Sequence, residues 1–571
     1  MYATGEAGYR AAVTTDDERR RRRSRSPLTW ARRRSDLKKL QTIAAKLYGW
    51  DELRPVQAEA MLHLANGVDT LVVAPTGSGK SAIYQVPAVL IDGPTIVVSP
   101  LLALQRDQME ALAEHGAPTA VVVNSDQSAS DNAAAFEAVR DGSAEFIFLA
   151  PEQLTKEEVL DALKAASPSL FVVDEAHCVS AWGHDFRPDY LRLGEAIEYL
   201  GHPTVLALTA TAAPPVRADI IDVLGLREPE EVIGGFDRPN LWLEVSRQVT
   251  ADGVRKAVID RVASESPSGL LYVQTRREAT DYAEALRELD VPAYAYHAGM
   301  KAAEREAVHD AFRGDEPVVV VATSAFGMGI DKPDVRFVIH AGPAESLDSY
   351  YQQIGRAGRD GDQAIAALYF RPEDLHIPRF FTGGTPDEDL LVRVGTGLKH
   401  HRGAVRIAAL GEELELTKAK VTRAVNLFEQ SGSVDATPDG PRWHGRRTVE
   451  KAVELAVEWA ATRRRIEQTR VEMMRGYADT EGCRRQFLLG YFGEDLPEPC
   501  GFCDTCRDGT AEETPSGDTG FPVQSRVRHK EWGEGIVMRE EDDRLTVLFD
   551  EEGYRTLSLA AIREHKLLTP A

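Results

Sequence analysis

The stretch that decides the fold is Thr70-Leu71-Val72-Val73-Ala74-Pro75-Thr76-Gly77-Ser78-Gly79-Lys80-Ser81. A short β-branched run enters a turn carrying two glycines and leaves it through a lysine and a hydroxyl. A strand feeding such a loop into a helix turns backbone N–H groups inward around phosphate oxygens. Lys80 is then the cation for the outer phosphates, and Ser81 is the hydroxyl for Mg2+. Thr76, Gly77, Ser78 and Gly79 are the wrapping loop. The pattern is GxxxxGK[ST], except that Ala74 stands where the first glycine is expected. An ordinary glycine turn is the bland alternative, and it has no need of this strand, lysine and hydroxyl in sequence.

Working outward, short β-branched runs alternate with helical stretches at Thr95–Ser99, Phe146–Ala150, Leu170–Asp174 and Val205–Thr209. The rhythm returns at Leu270–Gln274, Ala293–His297, Val318–Thr323, Val335–His340 and Ala366–Phe370. Two tandem α/β domains with parallel sheets follow. Asp174-Glu175-Ala176-His177 closes one apolar strand, at the edge where a parallel sheet presents its ligand-binding loops. Asp174 is placed to hold Mg2+ and Glu175 to orient or deprotonate an attacking water, although acids after a strand are also ordinary helix caps. In the second domain, Gly355-Arg356-Ala357-Gly358-Arg359 sets two arginines three residues apart. Arg359 is the candidate to reach the γ-phosphate across the cleft, with Arg356 as its neighbour.

At 571 residues the chain exceeds one hydrophobic core and divides into several domains. It carries 43% hydrophobic and 27% charged residues, and no apolar run approaches the ~18 residues of a membrane span, so no membrane role is expected. A formal charge of −23 argues against a DNA-wrapping mode but not against one narrow basic groove. The arginine-rich segment 1–38 reads as a disordered basic tail, either inert or a start codon assigned too far upstream, or else an arm that touches nucleic acid. No apolar leader follows it, so a cytoplasmic, nucleoid-associated location is expected.

Cys500-Gly501-Phe502-Cys503-Asp504-Thr505-Cys506, with Cys483 upstream, offers four thiols for one metal, and Cys178 is left over as a small core residue. Zn2+ in a closed structural site is favoured. An iron–sulfur cluster is the competitor, since C-x2-C-x2-C also opens a ferredoxin run, although the C-P that would follow is absent.

Together Arg54-Pro55-Val56-Gln57, the Asp174–His177 tetrad, Thr209-Ala210-Thr211, Ala325–Asp331 and Gly355–Gly361 resemble the RecQ helicases of superfamily 2, over about 40–370 and again 465–506. The resemblance implies two RecA-like motor domains, ATP and Mg2+ as cofactors, and catalytic roles for Lys80, Asp174, Glu175, His177, Arg356 and Arg359. It implies that Trp50 stacks on adenine, that Gln57 reads the base edge and that Arg54 supports that pocket. Ser180–Tyr190 resembles the family's aromatic loop, so that Trp182, His184, Phe186 and Arg187 are expected to touch single-stranded DNA; stacking faces of that kind contribute ~1–3 kcal/mol per base. The surroundings of the cysteines resemble the family's zinc-binding subdomain and favour zinc.

The expected architecture is thus a tail at 1–38, an ATP-binding motor domain at 39–235 and a second motor domain at 236–372. A helical, winged-helix-like segment at 373–448 and a helical zinc-binding subdomain at 449–508 follow. Then come a linker at 509–522 and a small SH3- or Tudor-like β-barrel at 523–571, similar to the tail of UvrD-type helicases. Helices at Asp389–His400, Val405–Glu412 and Lys418–Glu429 precede a loop, Asp435–Arg442; helix, turn, helix and wing is the simplest reading, and helix packing without DNA contact is the alternative. The winged-helix and HRDC domains that follow zinc in longer relatives have no room here. The implied activity is 3′ to 5′ translocation on single-stranded DNA with unwinding of duplex DNA in repair and recombination. Remodelling of protein–DNA complexes without strand separation is the runner-up. A protein partner is expected on the terminal β module.

Overall fold

The computed structural model describes residues 27–570 apart from 101–104, 106–107, 110–111, 113–117, 125–126, 181–186, 266–267, 328–331, 377–385, 438–439, 446, 512–519, 523–524, 542–543 and 550–551. The expected DNA-contacting residues Trp182, His184 and Phe186 lie outside the described residues, as does 1–26 of the expected tail.

Seven strands form the first sheet: β1 (Thr70–Val73), β2 (Thr95–Val98), β3 (Ala120–Val123), β4 (Phe146–Leu149), β5 (Leu170–Val173), β6 (Thr204–Thr209) and β7 (Glu230–Ile233). Their order is β3-β4-β2-β5-β6-β1-β7, with every pairing parallel. Six strands form the second: β8 (Leu241–Arg247), β9 (Gly269–Tyr272), β10 (Ala293–Tyr296), β11 (Val319–Ala322), β12 (Phe337–Ala341) and β13 (Ala364–Phe370). Their order is β10-β11-β9-β12-β13-β8, again all parallel. Central strands such as β1, β2 and β5 are buried throughout, because helices cover both faces. The strands that the sequence rhythm missed, β3, β7 and β8, all lie at sheet edges and stay partly exposed; charged residues interrupt β7 and β8, whereas β3 is a short apolar run, Ala120-Val121-Val122-Val123.

Residues 27–38, expected in the disordered tail, instead open the helix Pro27–Tyr48. Its second half fixes it to the first domain by burying Leu40, Ala44 and Tyr48, four residues apart along one helical face.

Beyond the second sheet, helices Glu388–His400, Ile407–Glu413 and Lys418–Gln430 pack around a core of their own with Leu391, Val394, Leu410, Val421, Phe428 and Trp443. The expected loop at Asp435–Arg442 is an antiparallel hairpin, β14 (Val434–Thr437) with β15 (Gly440–Trp443), pairing Val434 with Trp443. Three helices followed by a two-stranded hairpin are the observed arrangement. A single helix, Val449–Asp479, then runs 31 residues where several shorter ones were expected. Arg463 bonds Glu467 at 3.1 Å and Arg475 faces Asp479 at 3.5 Å, both four residues apart, and a Cβ at Gly476 would stand 3.0 Å from the Phe487 ring.

The C-terminal strands β16 (Arg526–His529), β17 (Gly533–Glu541), β18 (Arg544–Phe549), β19 (Gly553–Ser558) and β20 (Leu568–Pro570) form one antiparallel sheet, β19-β18-β17-β16-β20. Sequence alternation suggested a separate module. The sheet does hold a small core of its own around Val527, Val547 and Phe549, but Met538, Leu548 and Tyr554 join the core of the motor and cysteine regions. Tyr554 stacks on Tyr491 with ring centroids 5.2 Å apart. The sheet is therefore docked on the cysteine-bearing region rather than tethered beside it.

Candidate functional site

In the first sheet β6 lies between β1 and β5, so the loops after these three strands converge at one edge. The Ala74 N–H donates to the Thr209 carbonyl at 3.0 Å, and the left-handed backbone begins only at Gly77 (φ +78°) and Gly79 (φ +74°). Position 74 thus needs no glycine, which accounts for the alanine there. A Cβ at Gly79 would stand 2.6 Å from Nε2 of Gln57, so the loop also needs glycine for close approach.

Gln57 and Arg54 are held against this loop. Nε2 of Gln57 donates to the Ser78 and Gly79 carbonyls at 3.1 and 3.0 Å, and Nη1 of Arg54 donates to the Gly77 carbonyl at 3.0 Å. Trp50 is half-buried and stacks on Tyr48, with centroids 4.7 Å apart and 14° between planes. Lys80 Nζ donates to the carbonyls of Ala74 and Pro75 at 3.1 and 3.4 Å. Burial pulls its pKa below the ordinary lysine value, against the opposing carboxylates of Glu175 and Asp174. Thr76 Oγ1 and Ser78 Oγ are buried without a hydrogen-bond partner. Two such orphaned hydroxyls beside inward-turned glycines and a lysine fit the phosphates of a nucleotide.

Asp174 ends β5, and burial, with Glu175 beside it, pushes its pKa up to about 6 while Lys80 opposes the shift. A divalent cation would favour the charged carboxylate. Glu175 sits in left-handed backbone at φ +49°, strain of the kind that concentrates at functional sites. Its carboxylate is 3.3 Å from Nδ1 of His177, which in turn lies 3.0 Å from Oγ1 of Thr209. Thr209 Oγ1 accepts the Thr211 N–H at 3.2 Å, so the acid, the histidine and the end of β6 form one chain of contacts. Cys178 is fully buried in the core, as its sequence context suggested.

The second domain supplies the other wall. A Cβ at Gly77 would stand 3.1 Å from Cγ and Cδ of Arg359, and one at Gly355 would stand 3.4 Å from Oγ1 of Thr76. The side chain of Arg359 therefore lies against the phosphate loop of the other domain. Arg356 is buried and its guanidinium passes directly over Gly327.

Sequence reasoning missed what holds these arginines. Helix Leu347–Ile354 ends at Gly355 with unpaired last-turn carbonyls to satisfy. Arg238 donates Nη1 to the Gly355 carbonyl at 3.1 Å and Nη2 to the Ala357 and Gly358 carbonyls at 2.7 and 3.1 Å. Asn240 Nδ2 donates to the carbonyls of Gly358 and Asp362, both at 2.8 Å. A Cβ at Gly358 (φ +58°) would strike that amide at 2.5 Å. Phe236-Asp237-Arg238-Pro239-Asn240 reads in sequence only as a polar connection between domains, and its sole signal was an arginine and an asparagine flanking a proline.

Of the expected DNA-contacting set, Arg187 alone is described. Its Nη1 donates to the Pro100 carbonyl at 3.0 Å and its N–H to the Cys178 carbonyl at 3.0 Å, which ties the end of the aromatic segment to the Asp174 strand region.

The sulfurs of Cys483, Cys500, Cys503 and Cys506 all lie within 4.8 Å of one another. A tetrahedral Zn–S distance near 2.3 Å implies sulfurs about 3.8 Å apart, and Cys500 and Cys506 stand at 3.9 Å. The backbone N–H groups of Cys500 and Phe502 donate to Cys483 Sγ and Cys500 Sγ, both at 3.3 Å, as suits thiolates. Four thiols leave no open position, so these residues would hold zinc structurally. The region is clamped to the second motor domain. Asp504 accepts the Val245 N–H at 2.9 Å and Nε of Arg484 at 2.5 Å, and Arg485 donates to the Leu241 carbonyl at 2.7 Å. Tyr491 donates to Asp348 at 2.5 Å, and Phe492 stacks on Phe236 at 4.5 Å. Zinc ligands, interdomain connection and arginine-bearing helix thus share one core.

Among known protein families, DEAD/DEAH box helicase matches residues 54–219, helicase conserved C-terminal domain matches 254–361 and RecQ zinc-binding matches 445–507. Two helicase domains and a site completed across their cleft define a superfamily 2 motor. The ATP-dependent DNA helicase RecQ of Bacillus subtilis (strain 168) is 31% identical over 533 residues, covering 93% of this chain and 77% of that protein. The probable ATP-dependent DNA helicase RecS of the same organism is 32% identical over 472 residues, 82% of this chain and 92% of that protein. The chain spans 61% of the RecQ of Pasteurella multocida (strain Pm70), with 33% identity over 463 residues and 81% of this chain covered. The DNA-bound DUF1998 helicase MrfA shares the fold at a TM-score of 0.50 and 17% identity, over 72% of this chain and 63% of that one. The chain belongs to the RecQ family of helicases. No helix among the described residues is long and apolar enough to cross a membrane.

Proposed function

We propose that the chain is an ATP-driven motor that moves 3′ to 5′ along single-stranded DNA and unwinds duplex DNA, with repair and recombination as its setting. The observation that carries this reading is the contact of Arg359 with Gly77, which makes one nucleotide site out of two domains. Bound ATP with Mg2+ supplies the phosphoryl group whose transfer to water releases the driving energy.

Lys80 neutralises the outer phosphates, while Thr76, Gly77, Ser78 and Gly79 wrap them. Ser81 and Asp174 would hold the magnesium ion, and Glu175 takes a proton from the attacking water. His177 links Glu175 to Thr209, so a change at the end of β6 is felt at the acid. Trp50, Arg54 and Gln57 form the base side. Arg359 stabilises charge on the transferred group, with Arg356, packed over Gly327, as its neighbour. Because these residues come from two domains, each turnover alternately draws the domains together and releases them, and that motion is the step along DNA. Trp182, His184, Phe186 and Arg187 are the proposed single-strand contacts. The terminal β sheet, part of whose surface faces away from the cysteine region, is the proposed site for a protein partner.

The test is displacement of a labelled strand from duplexes carrying a 3′ or a 5′ single-stranded tail, with Lys80→Ala as the inactive control. Unwinding from the 3′ tail alone is expected. Unwinding from the 5′ tail alone would overturn the polarity, and ATPase without displacement would favour remodelling without unwinding.

A further inference from the structure

Helix Lys418–Gln430 has two unlike faces. Val421, Ala424, Val425 and Phe428 are buried in the local core, whereas Lys418, Lys420, Arg423 and Asn426 are exposed. A shallow groove along the outer side is lined by Lys418, Thr422, Arg423, Asn426 and Gln430, with Ala419 and Leu427 between them. In a chain whose acidic excess is 23, this helix carries three cations and one carboxylate, Glu429. Glu429 is half-buried at the far end, where Arg192 and Asp189 of the first motor domain and Asp435 of the hairpin face it. An ordinary solvated helix face mixes acids with its cations. This one offers cations, amides and a hydroxyl, the groups that pair with phosphates and base edges.

The surrounding topology points the same way. Helix Ile407–Glu413, a turn at Leu414–Thr417 and helix Lys418–Gln430 form a helix-turn-helix, and the β14–β15 hairpin follows as a wing. In Glu388–His400, Gly397 lets the first helix approach closely, since a Cβ there would meet Leu410 at 2.9 Å. Through Glu429 the outward helix also borders Asp189 and Arg192, which closely follow the segment 181–186.

We infer that the outer face of Lys418–Gln430 is a duplex-DNA-binding surface, with Lys418, Lys420 and Arg423 on phosphates and Asn426 and Gln430 toward the groove. This rests on the reading of the chain as a DNA motor. It adds a second DNA site built from a segment that lies before the cysteines.

The test uses the full chain with Lys418→Ala, Lys420→Ala and Arg423→Ala combined. Binding to a blunt 20-base-pair duplex and to oligo-dT is followed by fluorescence anisotropy over a salt series. Duplex affinity should fall about tenfold or more, and the slope of log affinity against log salt should become shallower by up to about 2.7, at about 0.9 for each of the three lost phosphate contacts. Oligo-dT-stimulated ATPase and the melting temperature should not move. A companion pair that keeps charge, Lys418→Arg with Arg423→Lys, should retain the original slope; this keeps the test decisive should the triple variant melt early. Unchanged duplex affinity, or equal losses on duplex and oligo-dT, would overturn the inference. Failure of the motor reading is seen separately, as absence of ATPase in the unaltered chain while duplex binding persists.

Discussion

The two parallel sheets are built alike yet contribute opposite halves of one site. In the first, the loops after β1 and β5, separated by β6, carry the glycines, the lysine and the carboxylates. In the second, β9 likewise separates β11 from β12, and the segments after these two strands carry Gly327 and the two arginines. The first sheet therefore supplies a cradle of backbone donors, and the second supplies positive charge. Architecture placed both sets at loop-bearing sheet edges, and side-chain identity assigned the roles. The second half needs more support than the first, because an arginine reaching across a cleft is only as well placed as the helix end that bears it. Here Arg238, Asn240 and the zinc-region clasp at Asp348 and Phe236 provide that support.

The sharpest break in this division is Arg359→Ala. Single-turnover and steady-state ATPase should show kcat falling by ~10³–10⁵ while nucleotide still binds, since the cradle belongs to the other sheet. Equal loss of binding and turnover would mean the halves are not separable. Next comes Arg238→Ala, which leaves both arginines present but frees the carbonyls of Gly355, Ala357 and Gly358. A loss of about 10²-fold in kcat, with KM for ATP little changed, is expected from misplacement alone. Unchanged kcat would reduce the linker to a tether.

The smallest effect concerns how the two sheets respond to pH. His340 on β12 is buried between Tyr272 and Tyr350, with Nε2 2.7 Å from Gln353, and burial pulls its pKa down to about 4. Below its ordinary value of 6.5 the unfolded chain takes up a proton that the folded chain refuses, so stability is lost as pH falls from about 6.5 toward 4. Glu145, beside β4 of the first sheet, behaves oppositely. Burial raises it to about 7, so its contribution weakens as pH rises from 4.5 toward 7. Urea unfolding at pH 7 and pH 5 should show His340→Gln recovering up to roughly 2 kcal/mol of the acid loss. Glu145→Gln should move the profile in the other direction. Identical profiles for both variants would remove the contrast.

Much of this was legible along the chain. Strand, glycine loop, Lys80 and Ser81 are contiguous, and so are Asp174 and Glu175 and three of the four thiols; local spacing therefore carried their chemistry. The central strands announced themselves because burial on both faces demands continuous apolar runs. Edge strands β7 and β8 did not, because Glu230 and Glu231 open the first and Glu244 and Ser246 interrupt the second. The first helix was hidden behind a run of arginines. The hairpin at Val434–Trp443 read as a loop because proline and glycine obscured a register that Trp443 settles by packing on Phe428, with centroids 5.6 Å apart. The docking of the terminal sheet depends on Tyr554 meeting Tyr491, a pairing between residues with no local signal.

By itself, then, the sequence determined that this chain has two nucleotide-type α/β domains, a four-thiol metal site and the residues able to perform phosphate, metal, water and cation chemistry. Each of those depends on neighbours within a few positions. Only the tertiary structure decided that Arg359 lies on Gly77, that Arg238 holds the loop bearing it and that the terminal sheet is part of the cysteine region's core. It also decided that one face of Lys418–Gln430 is left outward. These are contacts or exposures between segments far apart in the chain, and they are fixed by which apolar faces must be buried together rather than by any local pattern.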